Sequence, residues 1–245
     1  MAHALTIAFE EVNNFAHTNL ELISENPKAI VLSFHGLNGG TRMESEPTDY
    51  DRLMAEKGIV FIAPYYGPWS WMNSPAVTLI DAVVEAVIKR FPSLDGAPVI
   101  STGGSMGGLS ALVYTRYARI TPSACAANCP VCDLVFHRTE RVDLPRTIYC
   151  AFAEEGNTFE EAVEQHSPLH LVASMPDIPY LIVHGDADQS VNKQAHSDRF
   201  VKAMREAGRS VAYVEVPGMT HCNFTGHDDA RDAYESFIVN HALNQ

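Results

Sequence analysis

A serine flanked by glycines is the first group in the chain that could do chemistry. Residues 101–108 read STGGSMGG; they follow the apolar run APVI and precede the helix-like run LSALVYTRYARI. Gly103, Ser105 and Gly107 form the pattern G-x-S-x-G, which exposes a serine hydroxyl at the end of a sheet when a strand precedes it and a helix follows. The pattern indicates a nucleophilic serine. The alternative is a glycine-rich turn that serves only close helix–strand packing.

A serine hydroxyl is an effective nucleophile only when a base removes its proton and a third group orients that base. Asp186 and Asp188 follow the apolar run PYLIVHG, and His221 follows the run SVAYVEV. The order serine, acid, histidine is that of hydrolases with the G-x-S-x-G turn. Asp186, Asp188 and His221 are therefore the candidate partners of Ser105.

Short apolar runs alternate with amphipathic segments along the chain. Strands are predicted at residues 29–34, 58–64, 97–102, 123–130, 179–185 and 210–216, and helices at 48–56, 74–91, 106–118, 191–207 and 227–242. This alternation predicts parallel βαβ crossovers, hence a three-layer α/β/α sandwich with a mostly parallel central sheet. Ser74 is predicted to cap the second helix, and residues 4–9 and 19–24 to add an antiparallel hairpin at the N-terminal edge.

In open α/β sheets the ligand site lies beyond the carboxyl ends of the strands. Ser105, Asp188 and His221 each follow a predicted strand closely. Because the carboxyl ends of parallel strands meet at one edge of the sheet, we expect the three side chains to lie together there.

The composition restricts the class of protein. The chain has 245 residues, 46% of them hydrophobic, and a formal charge of −13. One globular domain over residues 1–245 is expected. The charge disfavours binding to nucleic acid or to an acidic membrane and favours a neutral or weakly charged small-molecule substrate. Without a membrane-length apolar segment or a signal-like start, a cytoplasmic location is expected, although a leader already removed would leave no trace.

Six motifs together resemble the α/β-hydrolase superfamily, in particular its prolyl oligopeptidase-like and carboxylesterase branch. They are HGLNGG, GGSMGG, CPVCD, SPL, HGDADQSV and PGMTH, and they span nearly the whole chain. The resemblance implies that Ser105 is the nucleophile and His221 the general base. It also implies that Asp188, which matches the aspartate of the family's H-G-x-x-D-x-x-V turn, orients His221. Asp186 is then expected to cap its loop, and His184 to be a packed histidine.

An oxyanion hole requires two N–H groups aimed at the developing negative charge. Met106, the residue after the serine, is a natural donor. The step His35-Gly36 resembles the family's oxyanion loop, which implies Leu37 as the second donor. The alternative for this segment is an ordinary glycine turn.

Two further segments are expected near the pocket. Residues 136–176 lie where hydrolases of this kind often insert a cap, and the short length here implies an open pocket with a small lid at most. Residues 64–73, PYYGPWSWMN, follow the second central strand and offer aromatic surface suited to a sugar ring, an aromatic acyl group or a short apolar chain. The candidates for substrate contact are Tyr65, Tyr66, Trp69 and Trp71. The alternative is a loop folded onto the core.

Cys129 and Cys132 form a C-x-x-C pattern among the five cysteines. A single pair without a second favours buried, unpaired thiols over a zinc or redox site. The predicted chemistry requires neither a metal nor a cofactor.

The predicted function is that of a serine carboxylesterase that cleaves small esters, with acetyl or aromatic-acyl esters of carbohydrates as the specific expectation. A peptidase acting on short peptides is the alternative, because the motifs resemble prolyl oligopeptidase catalytic domains. Those enzymes usually carry an N-terminal propeller, for which 245 residues leave no room, and this favours the esterase. A third interpretation is a non-catalytic binding module, which predicts a damaged set of catalytic residues. The oligomeric state is left open.

Overall fold

The computed structural model describes residues 5–40, 46–156 and 158–244. The strands of its central sheet are β1 (Ala16–Thr18), β2 (Ala29–Phe34), β3 (Ile59–Pro64), β4 (Val99–Gly104), β5 (Ala124–Asn128), β6 (Tyr180–Gly185) and β7 (Val211–Val216). The α-helices are α1 (Asp49–Glu56), α2 (Ser74–Arg90), α3 (Met106–Tyr117), α4 (Leu134–His137), α5 (Leu144–Phe152), α6 (Phe159–Gln165), α7 (Pro168–Leu171), α8 (Arg199–Glu206) and α9 (Asp228–Leu243).

The seven strands form one sheet in the order β1-β3-β2-β4-β5-β6-β7. Every neighbouring pair is parallel except β1 and β3, which run antiparallel with Ala16 opposite Pro64. Helices follow β3, β4 and β6 as crossover connections. The α/β-hydrolase fold class and its antiparallel N-terminal edge are confirmed.

The central strands are apolar at consecutive positions because both faces of the sheet are covered. Ile30 and Leu32 of β2 belong to one buried cluster, and Ala29 and Val31 belong to another. Alternate residues of a strand point to opposite faces, so each cluster lies on its own side of the sheet. The edge strand β7 is buried at only one position, its last.

The helix starts follow local capping chemistry. At the start of α1, the Thr48 hydroxyl accepts the backbone N–H of Asp51, and the Asp51 carboxylate accepts the backbone N–H of Thr48. The cap of α2 is Asn73 rather than the predicted Ser74, because the Asn73 side chain accepts the Ala76 N–H at 3.2 Å. Within the described ranges, no helix is long and apolar enough to cross a membrane.

The predicted N-terminal hairpin is wrong in detail. Residues 5–8 of the first expected strand have no regular secondary structure and a 3₁₀ helix, Phe9–Asn14, follows them. A second 3₁₀ helix, Leu20–Leu22, occupies half of the second expected strand, and β1 lies between the two helices. Residue 4 lies outside the described residues. The second strand is replaced because the Asn19 side chain accepts the Phe61 N–H at 2.8 Å and donates to the Ile59 carbonyl at 3.0 Å. A side chain thus takes the hydrogen bonds that a longer strand would have made with β3.

The helix predicted at residues 191–207 begins later than expected. A π-helical turn, Gln194–Asp198, precedes α8. This turn contains His196, whose Nδ1 accepts the backbone N–H groups of Cys132 at 3.1 Å and Asp133 at 3.2 Å.

The predicted cap segment contains helices α4 to α7 between β5 and β6. Its apolar side chains Leu144, Ile148 and Phe152 are fully buried and join the larger of the two buried clusters. The segment therefore packs against the same core as the sheet.

Candidate functional site

Ser105 lies at the sharp turn between β4 and α3. Its φ of 60° and ψ of −125° are a strained backbone conformation for a residue with a side chain. A Cβ on Gly103 would lie 2.4 Å from the Gly107 carbonyl oxygen, and a Cβ on Gly107 would lie 2.0 Å from the Phe34 carbonyl oxygen. Only glycine fits at these two positions, as the sequence predicts for a tight turn around the serine.

Asp188 is buried in the loop after β6, with both carboxylate oxygens engaged. Oδ1 accepts the backbone N–H groups of Ser190 at 2.8 Å and Val191 at 3.0 Å. Oδ2 lies 2.7 Å from His221 Nδ1 and 3.1 Å from His184 Nε2. Burial opposes ionisation, but the hydrogen bonds from both histidines and Val191 outweigh it and hold the pKa of Asp188 well below its usual range. Asp188 is therefore an anion that orients His221.

His221 lies in the loop after β7 and turns its two ring nitrogens to different partners. Nδ1 faces Asp188, and Nε2 lies 4.0 Å from Cys222 Sγ. Burial lowers the pKa of His221, yet hydrogen bonds to Asp188 and Cys129 outweigh it and raise the pKa to about 9. In the neutral ring, the bond to Asp188 keeps the proton on Nδ1, so Nε2 is the nitrogen that could accept a proton.

Ser105 and His221 line one cavity of about 500 Å³, within the size range of small-molecule sites. The cavity is lined by residues 36–38, Gly104, Ser105, Arg141, Ser190, His221 and Cys222. The structure thus brings the predicted serine, acid and histidine together beyond the carboxyl ends of β4, β6 and β7. A second concavity of about 530 Å³ at the start of α9 has no serine or cysteine among its described lining residues.

One predicted oxyanion donor lines the cavity, and the other directly follows Ser105 in the chain. Leu37 lines the cavity from the loop after β2. Met106 is the first residue of α3, so its N–H is one of those at a helix start that have no acceptor within the helix. Stabilisation of an oxyanion by these two amides stays a prediction.

The structure does not bring Tyr66 and Trp71 to the cavity surface. Tyr66 is 5% exposed and Trp71 is 1% exposed. The Tyr66 hydroxyl donates to the His35 carbonyl at 2.9 Å, and the Trp71 indole N–H donates to the Thr147 hydroxyl at 3.2 Å. Because their polar tips find partners inside, both rings pack into the core. The predicted substrate contact of these two residues is corrected to support of the surrounding loops.

Trp69 and Tyr65 are partly exposed. The Trp69 indole N–H donates to the Asn38 side chain, and Asn38 lines the cavity. Substrate contact by Trp69 and Tyr65 stays a prediction.

Asp186 and His184 have the structural roles expected of them. Asp186 Oδ1 accepts the Gly218 N–H at 2.6 Å and so caps the loop after β7. His184 is fully buried at the end of β6, where its Nδ1 accepts the Ser197 hydroxyl proton at 2.7 Å. Its Nε2 then carries the proton and donates to Asp188, a contact that sequence reasoning missed.

Cys129 and Cys132 are buried and unpaired, as predicted. Cys129 nevertheless lies beside the site, because its Sγ accepts the Cys222 N–H at 3.4 Å. The hydrogen bond from the Cys222 side chain outweighs burial and lowers the pKa of Cys129 to about 5. Cys129 Sγ, Cys222 Sγ and His221 Nε2 lie within 4.8 Å of one another and could hold a thiophilic metal ion. Such an ion would occupy the nitrogen that a general base needs.

A second carboxylate–histidine cluster joins His137 and Glu140 of the cap segment to His196. Glu140 Oε2 lies 2.5 Å from His137 Nδ1 and 2.8 Å from His196 Nε2. Since His196 Nδ1 accepts two backbone N–H groups, its proton lies on Nε2 and points to Glu140. Neither nitrogen of His196 is left for a metal ion, although the three side chains are spaced closely enough to suggest one.

Sequence reasoning missed Arg141 and Ser190 as cavity residues. The segment HRTERVDLPRT carries no motif that places Arg141 near the serine. The one feature of the sequence that could have drawn attention to this segment is its three arginines within residues 138–146 of a strongly acidic chain.

Comparison with known families finds that residues 78–242, more than half of the chain, match the prolyl oligopeptidase family. No curated protein matches the sequence. The chain is similar to solved structures of both peptidases and esterases.

A puromycin-hydrolyzing peptidase of Mycobacterium tuberculosis is 22% identical, with a TM-score of 0.73, over 90% of this chain and 35% of that chain. Dipeptidyl peptidase 4 of Porphyromonas gingivalis is 20% identical, with a TM-score of 0.67, over 87% of this chain and 31% of that chain. The esterase Est2 of Thermogutta terrifontis is 19% identical, with a TM-score of 0.67, over 99% of this chain and 94% of that chain.

The chain thus spans about a third of the length of the two peptidases and nearly all of the esterase. At these identities the structural likeness establishes the α/β-hydrolase fold. The sequence match to the family is more specific, because it runs from α2 to near the end of α9 and includes Ser105, Asp188 and His221. On this match, the chain belongs to the prolyl oligopeptidase family.

Proposed function

We propose that this protein is a serine hydrolase that cleaves small carboxylic esters through an acyl-enzyme intermediate. The observation that carries the proposal is the 2.7 Å contact between His221 Nδ1 and the buried Asp188 carboxylate, at a cavity that His221 shares with Ser105. A carboxylate in this position fixes the histidine tautomer and stabilises the imidazolium that forms during the reaction. Membership of the prolyl oligopeptidase family supports the same class of reaction.

In the first half of the reaction, Ser105 Oγ attacks the ester carbonyl carbon while His221 Nε2 takes the hydroxyl proton. The carbonyl oxygen becomes an oxyanion, which the backbone N–H groups of Met106 and Leu37 stabilise. When this intermediate collapses, the bond to the alcohol oxygen breaks and His221 gives its proton to that oxygen. The alcohol leaves, and the acyl group remains on Ser105.

In the second half, a water molecule takes the place of the alcohol. His221 Nε2 accepts a proton from the water as its oxygen attacks the acyl carbon. Collapse of the second intermediate releases the carboxylic acid and returns the proton to Ser105 Oγ. On the protein side, these proton transfers use only His221 and Ser105.

The similarity to the esterase Est2 and the size of the cavity support a small ester as substrate. The cavity of about 500 Å³ suits a compact substrate. Because Tyr66 and Trp71 are buried, Trp69 and Tyr65 are the two of the four proposed aromatic residues that could contact a sugar or an aromatic acyl group.

A peptidase that cleaves short peptides is the second candidate function. The match to the prolyl oligopeptidase family favours it. The same serine, histidine and oxyanion donors serve amide cleavage, in which His221 protonates the leaving nitrogen. The two candidates differ in which leaving groups the enzyme accepts.

Labelling with a fluorophosphonate probe tests the proposed nucleophile. We expect the wild-type protein to be labelled at Ser105 and the Ser105→Ala variant to remain unlabelled. Ser93→Ala is the matched control, because Ser93 bonds the Pro27 carbonyl far from the site along the chain and does not line the cavity. A folded wild-type protein that takes no label would favour the non-catalytic binding module.

A substrate panel then separates the two candidate enzymes. It contains short-chain 4-nitrophenyl esters, acetylated sugars, feruloyl esters and dipeptide amides, each assayed with wild-type protein and Ser105→Ala. Esterase activity predicts Ser105-dependent turnover of esters with kcat/KM far above that of the amides. Comparable or faster turnover of the dipeptide amides would favour the peptidase.

A further inference from the structure

Arg141 gives the cavity beside Ser105 a distinctive charge. Among the described residues that line the cavity, Arg141 is the one arginine or lysine, and none is an aspartate or glutamate. A substrate ammonium group would find no acid there, because the Asp188 side chain is 0% exposed and bonded to His221. The charge of the lining instead fits an anionic group.

The backbone that carries Arg141 is held in place by its neighbour Glu140. Glu140 Oε1 accepts the Asn192 N–H at 3.0 Å, and its Oε2 contacts His137 and His196. Asn192 lies in the same loop as Asp188, four residues further on. Arg141 is itself exposed, but the residue before it is bonded to the loop that orients His221.

The guanidinium of Arg141 is oriented by Asp143. Arg141 Nε donates to Asp143 Oδ1 at 3.0 Å, and Nη2 donates to Oδ2 at 2.6 Å. The pair is partly exposed, so it adds little stability, but it fixes the plane of the guanidinium. This bidentate contact uses Nε and one N–H of Nη2 and leaves the N–H groups of Nη1 for a ligand.

A second arginine lies against a residue that contacts the cavity lining. Arg146 lies 6.0 Å from the centre of the Trp69 ring, and Trp69 bonds Asn38 of the cavity lining. Residues 137–147 carry three arginines against two acids, Glu140 and Asp143, so this segment is net positive in a chain whose formal charge is −13.

From these observations we propose that Arg141 binds a carboxylate of the substrate. The proposal rests on the proposed hydrolase function and names its substrate class: small esters that carry a second, free carboxylate. Arg141 is then the specificity-determining residue, through charge-assisted hydrogen bonds from Nη1 to that carboxylate. The free carboxylate can belong to the acyl part or to the alcohol part of the ester.

Two pairs of esters distinguish these sources. The acyl pair is 4-nitrophenyl butyrate and the mono-4-nitrophenyl ester of glutaric acid. The alcohol pair is phenyl acetate and 3-carboxyphenyl acetate. Each kcat/KM is divided by the rate constant of the same ester with hydroxide, so that intrinsic reactivity cancels. We expect the anionic ester of at least one pair to exceed its neutral partner by about tenfold with the wild-type enzyme.

Substitution of Arg141 tests the origin of this preference. In Arg141→Gln the ratio of anionic to neutral ester is expected to fall to about one. Arg141→Lys keeps the charge but loses the planar fork, so an intermediate ratio is expected. Arg138→Gln removes the same charge from a residue that does not line the cavity, and it should keep the wild-type ratio. Unfolding temperatures of all variants check that the fold is retained.

The outcomes separate this proposal from the one on which it rests. Ratios near one in both pairs with the wild-type enzyme, or a preference that survives in Arg141→Gln, would overturn the carboxylate site and leave the hydrolase intact. The absence of Ser105-dependent hydrolysis of all four esters would overturn both. Loss of the preference in Arg138→Gln as well would attribute it to overall charge and would also overturn the site.

Discussion

The pair Asp188–His221 and the group Glu140–His137–His196 are built from the same functional groups, but they face different surroundings. The His221 side chain is 25% exposed and turns Nε2 toward the cavity. The His196 side chain is 0% exposed, and protein groups engage both of its ring nitrogens. The pair Asp188–His221, the open cluster, keeps one histidine nitrogen available for proton transfer. The group Glu140–His137–His196, the closed cluster, uses both nitrogens of His196 in structural hydrogen bonds.

The comparison shows that a close carboxylate and histidine are not enough for catalysis. What distinguishes the two clusters is the second ring nitrogen, whose partner is set by the tertiary structure. Burial lowers the pKa of His137 in the closed cluster, while the bond to Asp188 helps to raise the pKa of His221 in the open one. The open cluster should therefore respond to substitution in activity, and the closed cluster in stability.

The largest expected effect is that of His221→Ala on activity. Loss of the general base should lower kcat on a reactive ester on the order of 10⁶-fold, as removal of one member of a cooperative catalytic set does. The unfolding temperature should fall only modestly, because the buried Asp188 carboxylate loses His221 but keeps its hydrogen bonds to His184 and to two backbone N–H groups. Steady-state kinetics and thermal unfolding on the same preparation measure both. A variant that keeps more than a hundredth of the wild-type kcat would remove His221 from the mechanism.

Asp188→Asn should lower kcat on the order of 10⁴-fold. An amide in this position permits the wrong tautomer of His221 and no longer stabilises the imidazolium. Ser105 should still react slowly with a fluorophosphonate, because the nucleophile and oxyanion donors remain. Asp186→Asn is the matched control, since Asp186 caps a loop and does not contact His221. Equal losses in both variants would contradict the assignment of Asp188 as the orienting acid.

Glu140→Gln addresses the closed cluster. Two buried histidine N–H groups lose their ionic acceptor, which should lower the free energy of unfolding by about 3 kcal/mol. Urea unfolding followed by circular dichroism measures this change. Asp143→Asn is the control, because its ion pair is partly exposed and should contribute less than about 1 kcal/mol. If Glu140→Gln and Asp143→Asn were equally stable, the burial of the Glu140 cluster would not make it more important for stability than the exposed Arg141–Asp143 pair.

The smallest expected effect concerns the pH dependence of activity. Neutral His221 is the form that accepts a proton, so a pKa raised to about 9 predicts that kcat/KM increases with pH toward that value. Cys129→Ser replaces a thiol that helps to raise the pKa of His221 and should therefore lower that pKa. The rising limb of the pH–rate profile should then move toward acid by about one unit. An unchanged profile would mean that Cys129 does not act on His221.

Ser105, Asp188 and His221 could be predicted from the sequence because each signal is local. The glycines fit one tight turn, and the acid and the histidine each follow a strand. Parallel strands then bring their carboxyl ends together regardless of the details of packing. The fold class could be predicted for the same reason, since alternating apolar runs define it.

Features that depend on contacts between residues far apart in the chain could not be predicted from the sequence. Nothing local distinguishes the buried Trp71 from the partly exposed Trp69; the difference arises because Thr147, far along the chain, accepts the Trp71 N–H. Likewise, Arg141 reaches the cavity because Glu140 is held by a loop more than fifty residues away. These contacts become visible only with the tertiary structure.

The strained backbone of Ser105 also bears on how such a chain can change over generations. Glycine adopts a φ of 60° without the penalty of a side chain, so Ser105→Gly should relieve strain of about 1–3 kcal/mol and fold more stably than the active protein. If the proposed reaction is what selects for serine at this turn, a lineage that no longer needed the reaction would gain stability by drift to glycine.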